Sequence, residues 1–129
     1  MSNRETPRKP AGGRNIVIVA ARCSQTADGF GIRFERSGEA RWSATWAFGL
    51  KESAARREGY DRSEIRGTMQ LDPSYPGCPH CAKPSIVGCG TCGKVSCWNG
   101  ETRVMTCPWC KNRAEVSGTM TKLTSRNDA

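Results

Sequence analysis

Three Cys-x-x-Cys pairs, Cys78/Cys81, Cys89/Cys92 and Cys107/Cys110, fall within 33 residues of this chain, with Cys97 between the last two. Two thiolates separated by two residues can turn around one tetrahedral ion, and two such turns close a four-cysteine site of the structural zinc type. A chain so built must fold around metal. With 129 residues it has room for one domain or two small lobes, neither able to bury a large core alone. Zinc makes up that shortage, contributing about 10–16 kcal/mol of folding free energy in small modules.

An even count of eight cysteines also suits a disulfide scaffold, and compartment argues against it. Residues 1–14 are polar and basic, with Arg4, Arg8, Lys9 and Arg14 against Glu5, and are expected to form a disordered arm. The longest aliphatic run, Ile16 to Ala21, is too short for a signal or a membrane span. The expected location is therefore the cytoplasm, where thiols stay reduced and free for metal. The formal charge of +8 invites a nucleic-acid partner. Each four-thiolate zinc site carries two negative charges, however, so two sites would lower that figure to +4. What remains is spread evenly between the halves of the chain, without a concentrated basic patch.

Organisation changes at Asp72-Pro73-Ser74-Tyr75-Pro76-Gly77, with one cysteine upstream and seven downstream. The expectation is a small β-rich, metal-stabilised protein with minor helix, in which a hairpin or sheet lobe over 15–75 packs on a zinc-ribbon-like module over 76–118, followed by a tail over 119–129. Ile16 to Ala20 is a β-branched run, and Phe30, Ile32 and Phe34 alternate with Gly31, Arg33 and Glu35. Trp42, Ala44, Trp46, Phe48 and Leu50 follow period two and are expected on one buried face, with an aromatic platform for stacking bases as the alternative. A short helix over Lys51 to Glu58 should stop at Gly59 as its C′ residue. Asp61 and Glu64 could cap a further turn, and Thr68 to Leu71 completes the strands.

The outer knuckles, Cys78-Pro79-His80-Cys81 and Cys107-Pro108-Trp109-Cys110, are near copies, and this assigns Cys78, Cys81, Cys107 and Cys110 to a first site. Cys89, Cys92 and Cys97 remain for a second site, whose fourth ligand is Cys23 or the single histidine, His80. Two zinc ions are expected; one ion would leave the middle cysteines free. Gly88, Gly93 and Lys94 match phosphate-loop spacing, but Val95 stands where Ser or Thr must hold magnesium. With one histidine and no placed carboxylate pair, no catalytic constellation emerges.

The segments Tyr75-Pro76-Gly77-Cys78-Pro79-His80-Cys81, Cys89-Gly90-Thr91-Cys92-Gly93-Lys94-Val95-Ser96-Cys97-Trp98 and Thr106-Cys107-Pro108-Trp109-Cys110 resemble the TerY C-terminal metal-binding domain. That domain is found behind von Willebrand A modules in bacterial tellurium-resistance and stress-response systems. The resemblance implies a two-metal module whose ligands fall on Cys78, Cys81, Cys89, Cys92, Cys97, Cys107 and Cys110. It also implies signalling proteins with von Willebrand A, kinase or phosphatase domains as partners. The middle pair departs from the family, which usually has one residue between those cysteines. The sequence thus supports a cytoplasmic zinc protein acting as a binding or adaptor module without catalysis. Its alternatives are a nucleic-acid-binding zinc ribbon and a redox or metal-stress sensor with labile cysteines.

Overall fold

The computed structural model describes residues 15–60, 64–116 and 122–124. The basic arm, Asp61, and the tail other than 122–124 lie outside the described residues. Strands dominate: β1 (Ile16–Arg22), β2 (Gly29–Gly38) and β3 (Arg41–Gly49) form a meander, followed by helix α1 (Glu52–Glu58). Next come β4 (Glu64–Arg66), β5 (Thr68–Leu71), β6 (Ser85–Gly88), β7 (Val95–Trp98), β8 (Val104–Thr106), β9 (Arg113–Glu115) and β10 (Lys122–Thr124). Gly59 closes α1 with φ 81°, a left-handed C′ residue whose amide N–H reaches back to the Ala55 and Arg56 carbonyls.

The principal sheet has the order β5-β3-β2-β1-β7-β6. It crosses the boundary expected at residues 72–77, because β7 of the cysteine-rich half pairs in parallel with β1 through Ala21↔Val95 and Arg22↔Ser96. The two halves therefore share backbone hydrogen bonds instead of meeting only through side chains. Two small antiparallel pairs, β8 with β9 and β10 with β4, complete the described strands. Part of the expected C-terminal tail is thus a strand.

Alternation builds one core face. Val19 and Ala21 of β1 stand opposite Ile32 and Phe30 of β2, and all four are buried. Each fully buried Phe or Ile here contributes about 1.5–3 kcal/mol of apolar burial. Cys23, Cys78 and Cys97 belong to the same buried cluster, with Ile86 and Val95 beside them.

The aromatic stripe of β3 does not share one face. Arg33 pairs with Trp46 but Phe34 pairs with Ala44, so Thr45 is an extra residue in a β-bulge. Its hydroxyl donates to Glu35 Oε2 at 3.0 Å, giving the unpaired residue a side-chain partner. The extra residue inverts the alternation: Trp42, Ala44 and Ala47 face the core, while Trp46 is 51% exposed against 5% for Trp42. On the outer face Phe48 lies over Gly31, where an added Cβ would come within 2.6 Å of the Phe48 ring. That glycine makes room for the ring.

Candidate metal centre

Among the described residues, four loops share one backbone turn. In each, a cysteine at position i donates its N–H to the carbonyl of i+5, and the N–H of i+4 returns to the cysteine carbonyl. The pairs are Cys23/Asp28 with Ala27, Cys78/Lys83 with Ala82, Cys89/Lys94 with Gly93, and Cys107/Asn112 with Lys111, at 2.7–3.0 Å. Residue i+4 has positive φ in every case: 66° at Ala27, 68° at Ala82, 76° at Gly93 and 67° at Lys111. Such a turn aims the N–H groups of i+2 and i+3 at the first sulfur. Gln25 and Thr26 reach Cys23 Sγ at 3.4 Å, His80 reaches Cys78 Sγ at 3.4 Å, Thr91 reaches Cys89 Sγ at 3.3 Å and Trp109 reaches Cys107 Sγ at 3.4 Å. Amide donors of this kind stabilise thiolate.

Three of these turns carry the second cysteine at i+3. The first carries Thr26 there, and Cys97 supplies the missing sulfur from β7. The parallel register of β1 on β7, continued by one residue, aligns Cys23 with Cys97. Their sulfurs are 3.9 Å apart, and Cys81 Sγ is 3.6 Å from Cys97 Sγ. Ser24 donates its N–H to Cys97 Sγ at 3.2 Å, and its hydroxyl lies at the same distance.

Two four-cysteine groups result: Cys23, Cys78, Cys81 and Cys97, and Cys89, Cys92, Cys107 and Cys110. Within each, all sulfurs lie within 4.8 Å of one another. In the second group Cys89 is 3.7 Å from Cys110 and Cys92 is 3.8 Å from Cys107. Four sulfurs at roughly 2.3 Å from a tetrahedral ion would be about 3.8 Å apart, so both groups fit a metal. They do not fit disulfides, whose sulfurs are about 2.05 Å apart, and all eight cysteines are free.

This grouping corrects the assignment by knuckle similarity. Cys78/Cys81 and Cys107/Cys110 do not share a site, and Cys89/Cys92 do not join Cys97. The β6–β7 hairpin separates them: Cys81 and Cys97 lie at its open end, while Cys89 and Cys92 form its tip. The second hairpin, β8–β9, presents Cys107 and Cys110 at its own tip, against the first. Pairs alternate along the chain because a hairpin puts sequence neighbours at opposite ends. His80 is not a ligand; its Nε2–H donates to the Gly29 carbonyl at 2.7 Å, and Cys23 is the fourth residue of the first group. The signal for Cys23 was the Cys23-Ser-Gln-Thr-Ala-Asp segment, a knuckle whose second cysteine is replaced by threonine. Ser24, a donor to Cys97, carried no sequence signal.

The environments of the two groups differ. Cys23, Cys78 and Cys97 are buried, whereas Cys110 is exposed and Cys89 and Cys92 are half-buried. In the metal-free protein, burial raises the Cys23 thiol, but the Thr26 side chain and the Thr26 and Gln25 amides outweigh it and bring the pKa down to about 6. At Cys89, too, burial is outweighed by amide donors, and the pKa falls to about 7. Burial pushes Cys78 and Cys92 up to about 12, and raises Cys97 and Cys107 as well. Each group thus holds one thiol prone to ionise and at least two that give up protons only to a cation, so metal affinity must fall as pH falls.

A family model described as the TerY-C metal binding domain matches residues 13–126. The chain belongs to this family. The match covers nearly all of the sequence, including the meander and Cys23, so the TerY-C unit is the whole sheet with both cysteine groups. No curated protein and no solved structure matches it. Among the described residues no helix is long and apolar enough to cross a membrane.

Proposed function

We propose that the chain is a two-zinc adaptor: both cysteine groups hold structural zinc, and the rigid sheet presents a protein-binding surface without catalysis in a bacterial stress-response or signalling system. The single observation behind this reading is the completeness of the two groups. Four thiolates around each ion leave no open position for a substrate or an activated water. The outer face of the sheet supplies a surface for a partner. Ile18, Arg33 and Trp46 stand in one row across β1, β2 and β3, with exposed Ile16 on the same face of β1. An exposed tryptophan beside arginine has the composition of an interface anchor.

The family resemblance names the partners to try: von Willebrand A, kinase and phosphatase domains. The zinc-loaded chain is expected to bind one of these purified domains, and Trp46→Ala is expected to weaken that binding about thirtyfold, the effect of losing an anchor worth roughly 2 kcal/mol. Binding unaffected by Trp46→Ala would remove the surface. Turnover of a substrate, lost on changing a candidate residue, would contradict the non-catalytic role.

A second reading, a redox or metal-stress sensor, is favoured by the exposure of Cys110 and the half-burial of Cys89 and Cys92. Peroxide takes two electrons from a thiolate pair, leaving a disulfide and water, and zinc departs. One equivalent of zinc should then leave well before the other; simultaneous loss of both would favour the purely structural role.

A further inference from the structure

Beneath α1 lies a cavity of about 590 Å³, which neither cysteine group uses. Its size lies within the range of small-molecule sites, roughly 300–1,000 Å³. Small side chains create it. Ala20 of β1, Ala27 of the first knuckle and Ala55 of α1 line it, with half-buried Leu50 adding apolar surface. Larger residues at these alanines would fill the space, so the void is written into the sequence.

The knuckles supply the rest of the wall. His80 and Trp109, each the residue before the second cysteine of a Cys-Pro-x-Cys turn, both line the cavity although they belong to different groups. Both rings are held. His80 Nε2–H is committed to the Gly29 carbonyl at 2.7 Å, which leaves Nδ1 as the ring's acceptor. Trp109 donates to the Val95 carbonyl at 2.8 Å and has the Arg22 guanidinium 4.3 Å from its ring centroid. Arg22 is in turn paired with Glu52 at 3.0 Å. That pairing offsets the Arg22 charge, while Lys51 and Arg56 have no ion-pair partner among the described residues. Among the described lining residues Asp28 is the one other carboxylate, so these side chains keep an excess of one positive charge.

We infer that this cavity is a binding site for a small amphiphilic organic anion, an aryl or short acyl carboxylate or sulfonate. Its apolar body lies against Leu50, Ala55 and Trp109, and its acidic head meets Lys51 and Arg56. The ligand is clamped between residues of both knuckles, which couples its binding to the metal-organised fold.

The test uses the zinc-loaded full chain and two fluorescent probes of one shape, 8-anilinonaphthalene-1-sulfonate and its uncharged analogue N-phenyl-1-naphthylamine. The sulfonate is expected to bind at one saturable site. Charge reversal, Lys51→Glu with Arg56→Glu, should weaken the sulfonate at least about tenfold, as loss of charge-assisted contacts does, and leave the uncharged probe within about twofold. Ala55→Phe should weaken both probes by about tenfold or more, because it occupies their space. Equal response of both probes to charge reversal would overturn the anion assignment. Sulfonate binding unchanged by Ala55→Phe in a variant that still holds two zinc ions would overturn the cavity. If that variant fails to fold, the charge-reversal pair, confined to exposed side chains, decides alone.

Discussion

At the scale of single residues, the site is a set of substitutions on one repeated turn. Three turns were legible because the second cysteine stands at i+3, and the spacing alone marks them. Cys23 was a candidate ligand from the sequence, but its turn was not legible as a knuckle, because Thr26 stands at that position and the second sulfur comes from Cys97, 74 residues after Cys23. No local pattern encodes a ligand borrowed through a sheet register. The resemblance of Cys-Pro-His-Cys to Cys-Pro-Trp-Cys was real at the level of the turn and misleading about which turns face each other. Local sequence sets a knuckle's shape, whereas its partner depends on the hairpins that carry it. A rescue experiment isolates this logic. Cys97→Ser is expected to lower the stoichiometry from two zinc ions to one by native mass spectrometry. Adding Thr26→Cys should restore the second ion, because position i+3 of this turn is where the other three knuckles place a sulfur. No gain of zinc in the double variant would show that the first turn is not a knuckle in function.

Among the elements, period and punctuation were legible and the interruption of period was not. Gly59 stops α1 in the left-handed conformation that its position after an alanine-rich run suggested. A Cβ at Gly59 would meet nothing within 4 Å, so the glycine is required by backbone conformation alone. Gly59→Ala is accordingly expected to cost about 1 kcal/mol in urea unfolding without loss of zinc. A larger loss, or loss of metal, would mean that the helix end is packed in a way its open surroundings do not suggest. In β3 the unbroken alternation from Trp42 to Leu50 pointed to one face, yet a single unpaired Thr45 sends Trp46 to the other. A bulge leaves the sequence pattern intact while inverting its meaning. The pairing of β1 with β7 was likewise invisible, since β7 is only four residues, Val-Ser-Cys-Trp, and parallel partners share no turn.

For the molecule as a whole, the division at Asp72–Gly77 marked a change of composition and not an interruption of the sheet. The meander supplies the first knuckle and most of the apolar core. The cysteine-rich half supplies the other three knuckles and extends the sheet past β1 by two strands. Cys23, Cys78 and Cys97 sit inside that shared core, so the first metal group joins both halves, whereas the second fastens two hairpin tips at the periphery. Composition and spacing therefore revealed a metal-stabilised β protein, and only the long-range register revealed which cysteines act together. The interleaved assignment can be read directly by loading the chain with cadmium-113 and correlating each metal resonance with cysteine β-protons. One cadmium should couple to Cys23, Cys78, Cys81 and Cys97, and the other to Cys89, Cys92, Cys107 and Cys110. Coupling of Cys78 and Cys107 to the same cadmium would contradict it.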